Sequence, residues 1–182
     1  MPSLSPRALA VEPSRTIAMN QRARELKAAG RDVIDLTVGE PDFRPHARVI
    51  EAAVEAARAG ADRYTPVAGL PALRELAAAA YLADGGLRYP QDGVMVSPGA
   101  KGALTAAFMA LAGPGDEVLI PTPAWLSYAE QAKLVGAEPR LVYCPPGSGY
   151  KLGPEALRRA LTPRTKLLVL GSPANPTGAV YS

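Results

Sequence analysis

The stretch Leu167-Leu168-Val169-Leu170-Gly171-Ser172-Pro173-Ala174-Asn175-Pro176-Thr177-Gly178 decides the fold of this 182-residue chain. Four apolar residues bounded by turn formers are typical of a fully buried strand. Two prolines and two glycines in the next eight residues exclude a helix and end the strand at a sharp bend. Ligands of open α/β sheets bind just beyond the carboxyl ends of strands, so we expect the Asn175 amide at the mouth of a site. A tight turn without a ligand is the alternative interpretation of this string.

The rest of the chain alternates between strand and helix patterns. From Gly93 onward the sequence predicts strands at 94–96, 118–120, 141–143 and 167–170, and helices at 101–112, 125–135 and 154–161. Upstream it predicts an arm at 1–13, a helix at 14–29, a strand at 33–36, and helices ended by Gly60 and begun by Pro71. Such alternation with short links is typical of parallel βαβ units, and it predicts an α/β fold.

Composition and charge argue against several classes of function. The net charge is only +3 and the 20 basic residues are scattered along the chain, so we expect no nucleic-acid partner. One cysteine, Cys144, excludes an intrachain disulfide, and together with one histidine, His46, it is too few for a zinc cluster. No apolar run approaches the roughly 20 residues that span a bilayer, and no signal peptide is apparent. We therefore expect a cytoplasmic protein without a metal or a membrane contact.

Two further strand ends carry candidate binding groups. Gly99, Ala100 and Lys101 follow a strand and open a helix, whose unpaired N–H groups can hold a phosphate. The string matches neither the dinucleotide nor the Walker pattern. Trp125, the single tryptophan, follows the next strand and can stack on a flat heterocycle, although a core anchor is an equal alternative. A phosphorylated aromatic ring would satisfy these groups and Asn175 together.

At this point five strings resemble a known family, in family order and at family spacing. They are Thr37-Val38-Gly39-Glu40-Pro41-Asp42-Phe43, Tyr64-Thr65-Pro66-Val67-Ala68-Gly69-Leu70-Pro71-Ala72-Leu73-Arg74, Pro98-Gly99-Ala100-Lys101, Pro121-Thr122-Pro123-Ala124-Trp125 and Ser172-Pro173-Ala174-Asn175-Pro176-Thr177-Gly178. Residues 5–182 resemble the N-terminal half of the fold-type-I, pyridoxal-phosphate-dependent aminotransferases of class I/II, most of all the bacterial aspartate aminotransferases.

The resemblance implies a fold and a domain division. The fold is a three-layer α/β/α sandwich with a mostly parallel sheet, an incomplete large domain, plus the N-terminal part of a small domain. Residues 1–45 would form the arm and the partial small domain, and residues 46–182 the start of the large domain. The family order would make strands 118–120 and 141–143 neighbours. It would separate strands 94–96 and 167–170 from that pair.

The resemblance also implies a cofactor, pyridoxal 5′-phosphate, and the residues that hold it. Gly99, Ala100 and Lys101 would hold the phosphate, chiefly through backbone N–H groups. Trp125 would stack on the pyridine ring and contact the substrate. Asn175 would hydrogen-bond the ring hydroxyl and steer the substrate carboxylate, and its bond to Pro176 is often cis in the family.

Two residues nearer the N-terminus complete the implied site. Gly39 would offer its N–H to the substrate α-carboxylate, and Tyr64 would reach the cofactor phosphate of the neighbouring subunit. The resemblance therefore implies a homodimer with shared active sites. Ala124 stands where an aromatic residue is usual in the family, and Ala174 where asparagine is frequent; these two departures concern fine specificity rather than cofactor binding.

The implied reaction exchanges an amino group between an amino acid, aspartate by resemblance, and a 2-oxo acid such as 2-oxoglutarate. It needs a lysine that forms a Schiff base, which the family places after Asn175. The lysines of this chain are Lys27, Lys101, Lys133, Lys151 and Lys166. Only Lys101 lies near the cradle, where a solvated or phosphate-pairing role is favoured. We therefore expect a truncated chain that is inactive alone.

Three other interpretations stay open at this point. The same fold can host a carbon–sulfur lyase or a synthase that acts on an amino-acid derivative. A non-catalytic, aminotransferase-like module of a regulator would keep the cofactor site without the reaction. An unrelated phosphate-binding α/β domain would keep only the cradle.

Overall fold

The computed structural model describes residues 4–181, which form two compact units. One unit contains the described residues up to Glu12 together with those from Ser97 onward, and the other contains Pro13–Val96. The predicted domain division between residues 45 and 46 stays a prediction. The helices are α1 Pro6–Ala10, α2 Arg15–Ala28, α3 Ala47–Arg58, α4 Pro71–Gly85, α5 Gly99–Leu111, α6 Ser127–Leu134 and α7 Pro154–Ala160. The strands are β1 Glu117–Thr122, β2 Glu138–Tyr143 and β3 Thr165–Leu168.

The three strands form one parallel sheet in the order β2-β1-β3. Val118 and Ile120 of β1 pack with Phe108 of α5 and Ala132 of α6, all of them buried. Leu119 points to the opposite face because side chains alternate along a strand, and it is also fully buried. Both faces of the central strand are therefore covered, and the predicted α/β fold is confirmed.

The predicted strand order is partly wrong. β1 and β2 are neighbours, as expected, with Glu117 opposite Glu138. β3, however, pairs directly with β1, with Leu119 opposite Leu168. The expectation that the last predicted strand is separated from the pair by other strands is contradicted by this ladder. The 94–96 segment, which was expected as the first strand of the sheet, contains no strand.

The amino ends of the strands meet at a buried carboxylate. Glu117 accepts a hydrogen bond of 2.8 Å from the Thr162 hydroxyl, and one of its oxygens lies 2.7 Å from the Arg164 guanidinium. The Thr162 hydroxyl is the main reason that the pKa of Glu117 falls below 4.5. The charges of Arg164 and Arg140 act in the same direction, while burial opposes them. This ion pair connects β1 to the segment that leads into β3. It lies at the amino ends of the strands, whereas the ligand is expected at their carboxyl ends.

The unit of residues 13–96 is built from helices joined by irregular segments. Ser14 caps α2 by accepting from the Ile17 amide, and Gly30 follows that helix with φ +75°, so both predicted helix signals are confirmed. The strand predicted at 33–36 is wrong, because the segment has no partner strand within its unit and leaves Ile34 and Leu36 exposed.

Candidate cofactor site

The start of α5 provides backbone donors for an anion. Gly99 has φ +81°, and no atom lies within 4 Å of the place that a Cβ would occupy. Its own N–H is donated to the Ser97 carbonyl at 2.8 Å. The amides of Ala100 and Lys101 lie in the first turn, where no intrahelical acceptor exists for them. No acidic side chain occupies that turn, so the helix dipole and the Lys101 charge both favour an anion.

A buried glutamine of α6 fixes this helix start. The Gln131 amide nitrogen donates to the Lys101 carbonyl and to the Thr105 hydroxyl, both at 2.9 Å. Gln131 is 5% exposed, so these bonds form away from water, where leaving them unmade would be costly. The first turn of α5 is thereby held against α6.

Trp125 lies in the loop between β1 and α6, beside the helix start. The Lys101 ammonium lies 5.2 Å from the centroid of the indole ring, within the range of a cation–π contact. The Tyr128 ring meets the indole edge to face, with centroids 5.3 Å apart and planes at 90°. The structure thus brings two of the predicted site residues, Lys101 and Trp125, into contact.

Asn175 lies in a closed turn after β3. The Gly178 amide donates to the Ala174 carbonyl at 2.7 Å, and the Ala174 amide donates to the Ala179 carbonyl at 2.8 Å. The Asn175–Pro176 bond is cis, as the resemblance led us to expect. Among residues 4–181 no group hydrogen-bonds the Asn175 side chain, so its amide is available to a ligand.

A small pocket joins this turn to the loop after β1. Its walls include Pro123, Ala124, Tyr128, Tyr150, Asn175 and Tyr181. Tyr128 therefore contacts Trp125 on one side and lines the pocket of Asn175 on the other. Trp125 itself is not part of the pocket wall, so the two predicted residues are connected through Tyr128.

The two remaining predicted residues belong to the unit of residues 13–96. Gly39 lies in an irregular, exposed segment, and Tyr64 is fully exposed. Their predicted roles toward the substrate and a neighbouring subunit stay predictions. Within the described part of the chain, no three His, Cys, Asp or Glu side chains group as metal ligands, and no helix is long and apolar enough to cross a membrane.

The donor set fits pyridoxal 5′-phosphate. Amides at an open helix start suit a phosphate, an indole beside them suits a flat ring, and an unbonded amide suits a ring hydroxyl. The indole and the Asn175 turn follow β1 and β3 at the carboxyl ends of one parallel sheet, where α/β proteins bind ligands, and Lys101 at the start of α5 contacts the indole. The fold and the site define an α/β protein arranged for a planar, anionic ligand.

Comparisons with known proteins give the family. The profile of the family described as aminotransferase class I and II matches residues 31–182. The aspartate aminotransferase of Geobacillus stearothermophilus is 46% identical over 179 residues, which are 98% of this chain and 46% of that protein. The aspartate/prephenate aminotransferase of Cereibacter sphaeroides is 46% identical over 172 residues, 94% of this chain and 43% of that protein. The structure of the aspartate aminotransferase of Thermus thermophilus with maleate superposes with a TM-score of 0.95 at 44% identity, over 100% of this chain and 48% of that one. The chain belongs to the aminotransferase class I and II family.

Family membership confirms the resemblance and excludes an unrelated phosphate-binding domain. The chain spans about half the length of the relatives it matches. Sequence reasoning missed Tyr128 and Gln131, which support the site from α6. Their spacing of three residues places them on neighbouring positions of one helix face, which is the only signal that the sequence offers for them.

Proposed function

We propose that the complete protein is a pyridoxal-phosphate-dependent aminotransferase that uses aspartate and a 2-oxo acid such as 2-oxoglutarate. The observation that carries the proposal is the contact of Lys101 with Trp125 at the start of α5, beside the pocket that contains Asn175. The relatives named as aspartate aminotransferases support the choice of substrate. When bound, the cofactor supplies an electron sink that makes transfer of the amino group possible.

In this proposal the residues of this chain bind the cofactor and orient the cofactor and the substrate. The Ala100 and Lys101 amides, the helix dipole and the Lys101 charge hold the phosphate. The indole of Trp125 fixes the plane of the ring and excludes water from one face. The Asn175 amide donates to the ring hydroxyl and directs the substrate carboxylate.

The family resemblance adds two further groups to this proposal. The Gly39 N–H binds the substrate α-carboxylate. Tyr64, whose ring is fully exposed, reaches the phosphate in a second subunit, so the protein works as a homodimer with shared sites. The small number of cysteines favours a reducing compartment, so we also propose a cytoplasmic location.

A transamination assay tests the activity. The complete protein, loaded with pyridoxal 5′-phosphate, is expected to convert aspartate and 2-oxoglutarate into oxaloacetate and glutamate, detected with a coupled dehydrogenase. With a sulfur-containing amino acid in place of aspartate, release of a thiol, ammonia and a 2-oxo acid without formation of glutamate would favour the carbon–sulfur lyase alternative. Cofactor binding without any turnover would favour the regulatory module.

Prephenate is a second candidate acceptor. The relative from Cereibacter sphaeroides is named an aspartate/prephenate aminotransferase and is as similar to this chain as the aspartate enzyme of Geobacillus stearothermophilus. Replacing 2-oxoglutarate with prephenate in the same assay tests this acceptor. Aspartate-dependent consumption of prephenate would add it to the substrates.

A further inference from the structure

Tyr128 makes the contact that connects the two halves of the candidate site. Its ring lies perpendicular to the indole of Trp125, with 5.3 Å between the centroids. Its backbone amide donates to the Trp125 carbonyl at 3.2 Å, so the two residues are joined through main chain and side chain. On its other side the ring lines the pocket of Asn175, and a Cβ on Gly171 would lie 3.8 Å from its hydroxyl.

The side chain of Tyr128 is held more firmly by its surroundings than that of Trp125. It is half-buried in the first turn of α6 and packs against the core cluster that includes Phe108 and Val118. Trp125 precedes the helix and lies in a loop, where the backbone alone constrains a ring less. An edge-to-face contact sets the angle between two rings, so an anchored Tyr128 restricts the plane of the indole.

We propose that Tyr128 is a positioning residue, which holds the Trp125 indole in the plane that stacks on the cofactor ring. The inference rests on the proposed function, because it concerns the same cofactor site. The ring of Tyr128, rather than its hydroxyl, fixes the orientation of the Trp125 indole relative to the Asn175 turn. Removing the ring would leave the indole free to adopt several orientations.

The test follows Trp125 directly, in the complete protein without cofactor. The protein is labelled with 5-fluorotryptophan, and the resonance of Trp125 is assigned by its loss in Trp125→Phe. One narrow line is expected in the wild type and in Tyr128→Phe. A line broadened or split by exchange between ring orientations is expected in Tyr128→Leu. Tyr81→Leu is the matched control, because it removes an edge-to-face pair with Tyr89, at 5.6 Å and 78°, within the unit of residues 13–96.

The wild type and the three tyrosine variants are then titrated with pyridoxal 5′-phosphate. The interaction free energy of an aromatic pair predicts that Tyr128→Leu binds the cofactor about two- to twelvefold more weakly, whereas Tyr128→Phe and Tyr81→Leu bind it like the wild type. An unchanged line together with unchanged affinity in Tyr128→Leu overturns the inference. A wild type that does not bind the cofactor overturns the proposed function, while the fluorine spectra still decide whether Tyr128 orders Trp125.

A measurement on the wild type covers the case in which Tyr128→Leu does not fold. A fluorine–proton Overhauser effect between Trp125 and the ring protons of Tyr128 is expected both before and after cofactor is added. Loss of that effect on loading would show that the two rings separate when the site is filled, and would overturn the inference.

Discussion

Gly99→Ala tests whether the left-handed residue at the start of α5 forms the anion site. Gly99 has φ +81°, a conformation that costs an alanine about 1–2 kcal/mol. The added methyl group meets no atom within 4 Å, so the cost is purely conformational. The strain is relieved if Gly99 rotates toward negative φ, which moves the first turn and the amides that it presents.

Gly102→Ala is the matched control, three residues along the same helix. Its φ is not positive, and the new methyl group would lie 3.9 Å from Pro98 Cγ, an ordinary contact. Alanine within a helix is favoured over glycine by about 0.5–1 kcal/mol. The two variants should therefore differ in free energy of unfolding by about 1.5–3 kcal/mol, with Gly102→Ala the more stable.

Urea unfolding and a cofactor titration check both parts of this reasoning. A hydrogen bond to a charged group contributes about 1.5–3 kcal/mol, so losing one phosphate contact in Gly99→Ala should weaken binding of pyridoxal 5′-phosphate about tenfold or more. Gly102→Ala should bind it like the wild type. Equal unfolding midpoints and equal affinities for the two variants would refute the argument from Gly99.

Three further predictions concern the candidate site, the hydrophobic core and the carboxylate at the amino end of β1. Asn175→Ala should change the free energy of unfolding by less than about 0.5 kcal/mol but weaken cofactor binding, because no described residue bonds the amide; a large loss of stability in urea would contradict this. Phe108→Ala should cost about 3–5 kcal/mol in urea unfolding, because its ring is 4% exposed within the core cluster; a loss below about 1 kcal/mol would show that the core does not depend on it. Glu117 has a lowered pKa when folded, so its stabilising effect is complete above the ordinary value of 4.5 and is lost as the pH falls through the lowered one. The difference in unfolding midpoint between wild type and Glu117→Gln should therefore be large near neutral pH and shrink in acid, and a difference independent of pH would refute the assignment.

Local signals predicted all the helices from α2 onward, because the ends of a helix depend on neighbouring residues, but α1 lies within the stretch predicted as an arm. Ser14 and Gly30 bound α2 through a side-chain cap and a left-handed turn, and Pro71 begins α4. The bend at Asn175 is local in the same sense, since prolines and glycines within a few residues dictate it. Lys101, Trp125 and Asn175 could be proposed for the site because each opens a helix or follows a strand.

Strand formation and support from other elements could not be predicted in this way. The 94–96 segment has the apolar pattern of a strand, yet it pairs with no strand among the described residues: the Val94 amide donates to the nearby Gln91 carbonyl at 3.3 Å and the Val96 amide to the Ala68 carbonyl at 3.0 Å. Gln131 looks like an ordinary polar residue of α6 until its partners on α5, 26 and 30 residues earlier, are known. Such contacts depend on packing between elements that are distant in sequence, which no local pattern encodes.

The order of the strands, more than the spacing of the motifs, assembles the candidate site. β1 lies between β2 and β3, and the Val169 amide continues the ladder by donating to the Leu119 carbonyl at 3.0 Å. Because neighbouring strands lie about 4.8 Å apart, the loops that follow β1 and β3 leave the sheet side by side. One intervening strand would roughly double that separation, to about 10 Å, and the ring of Tyr128 could not then contact both Trp125 and the pocket of Asn175. The pairing of β3 with β1, which family order alone did not lead us to expect, is therefore the feature on which the connection between the two loops depends.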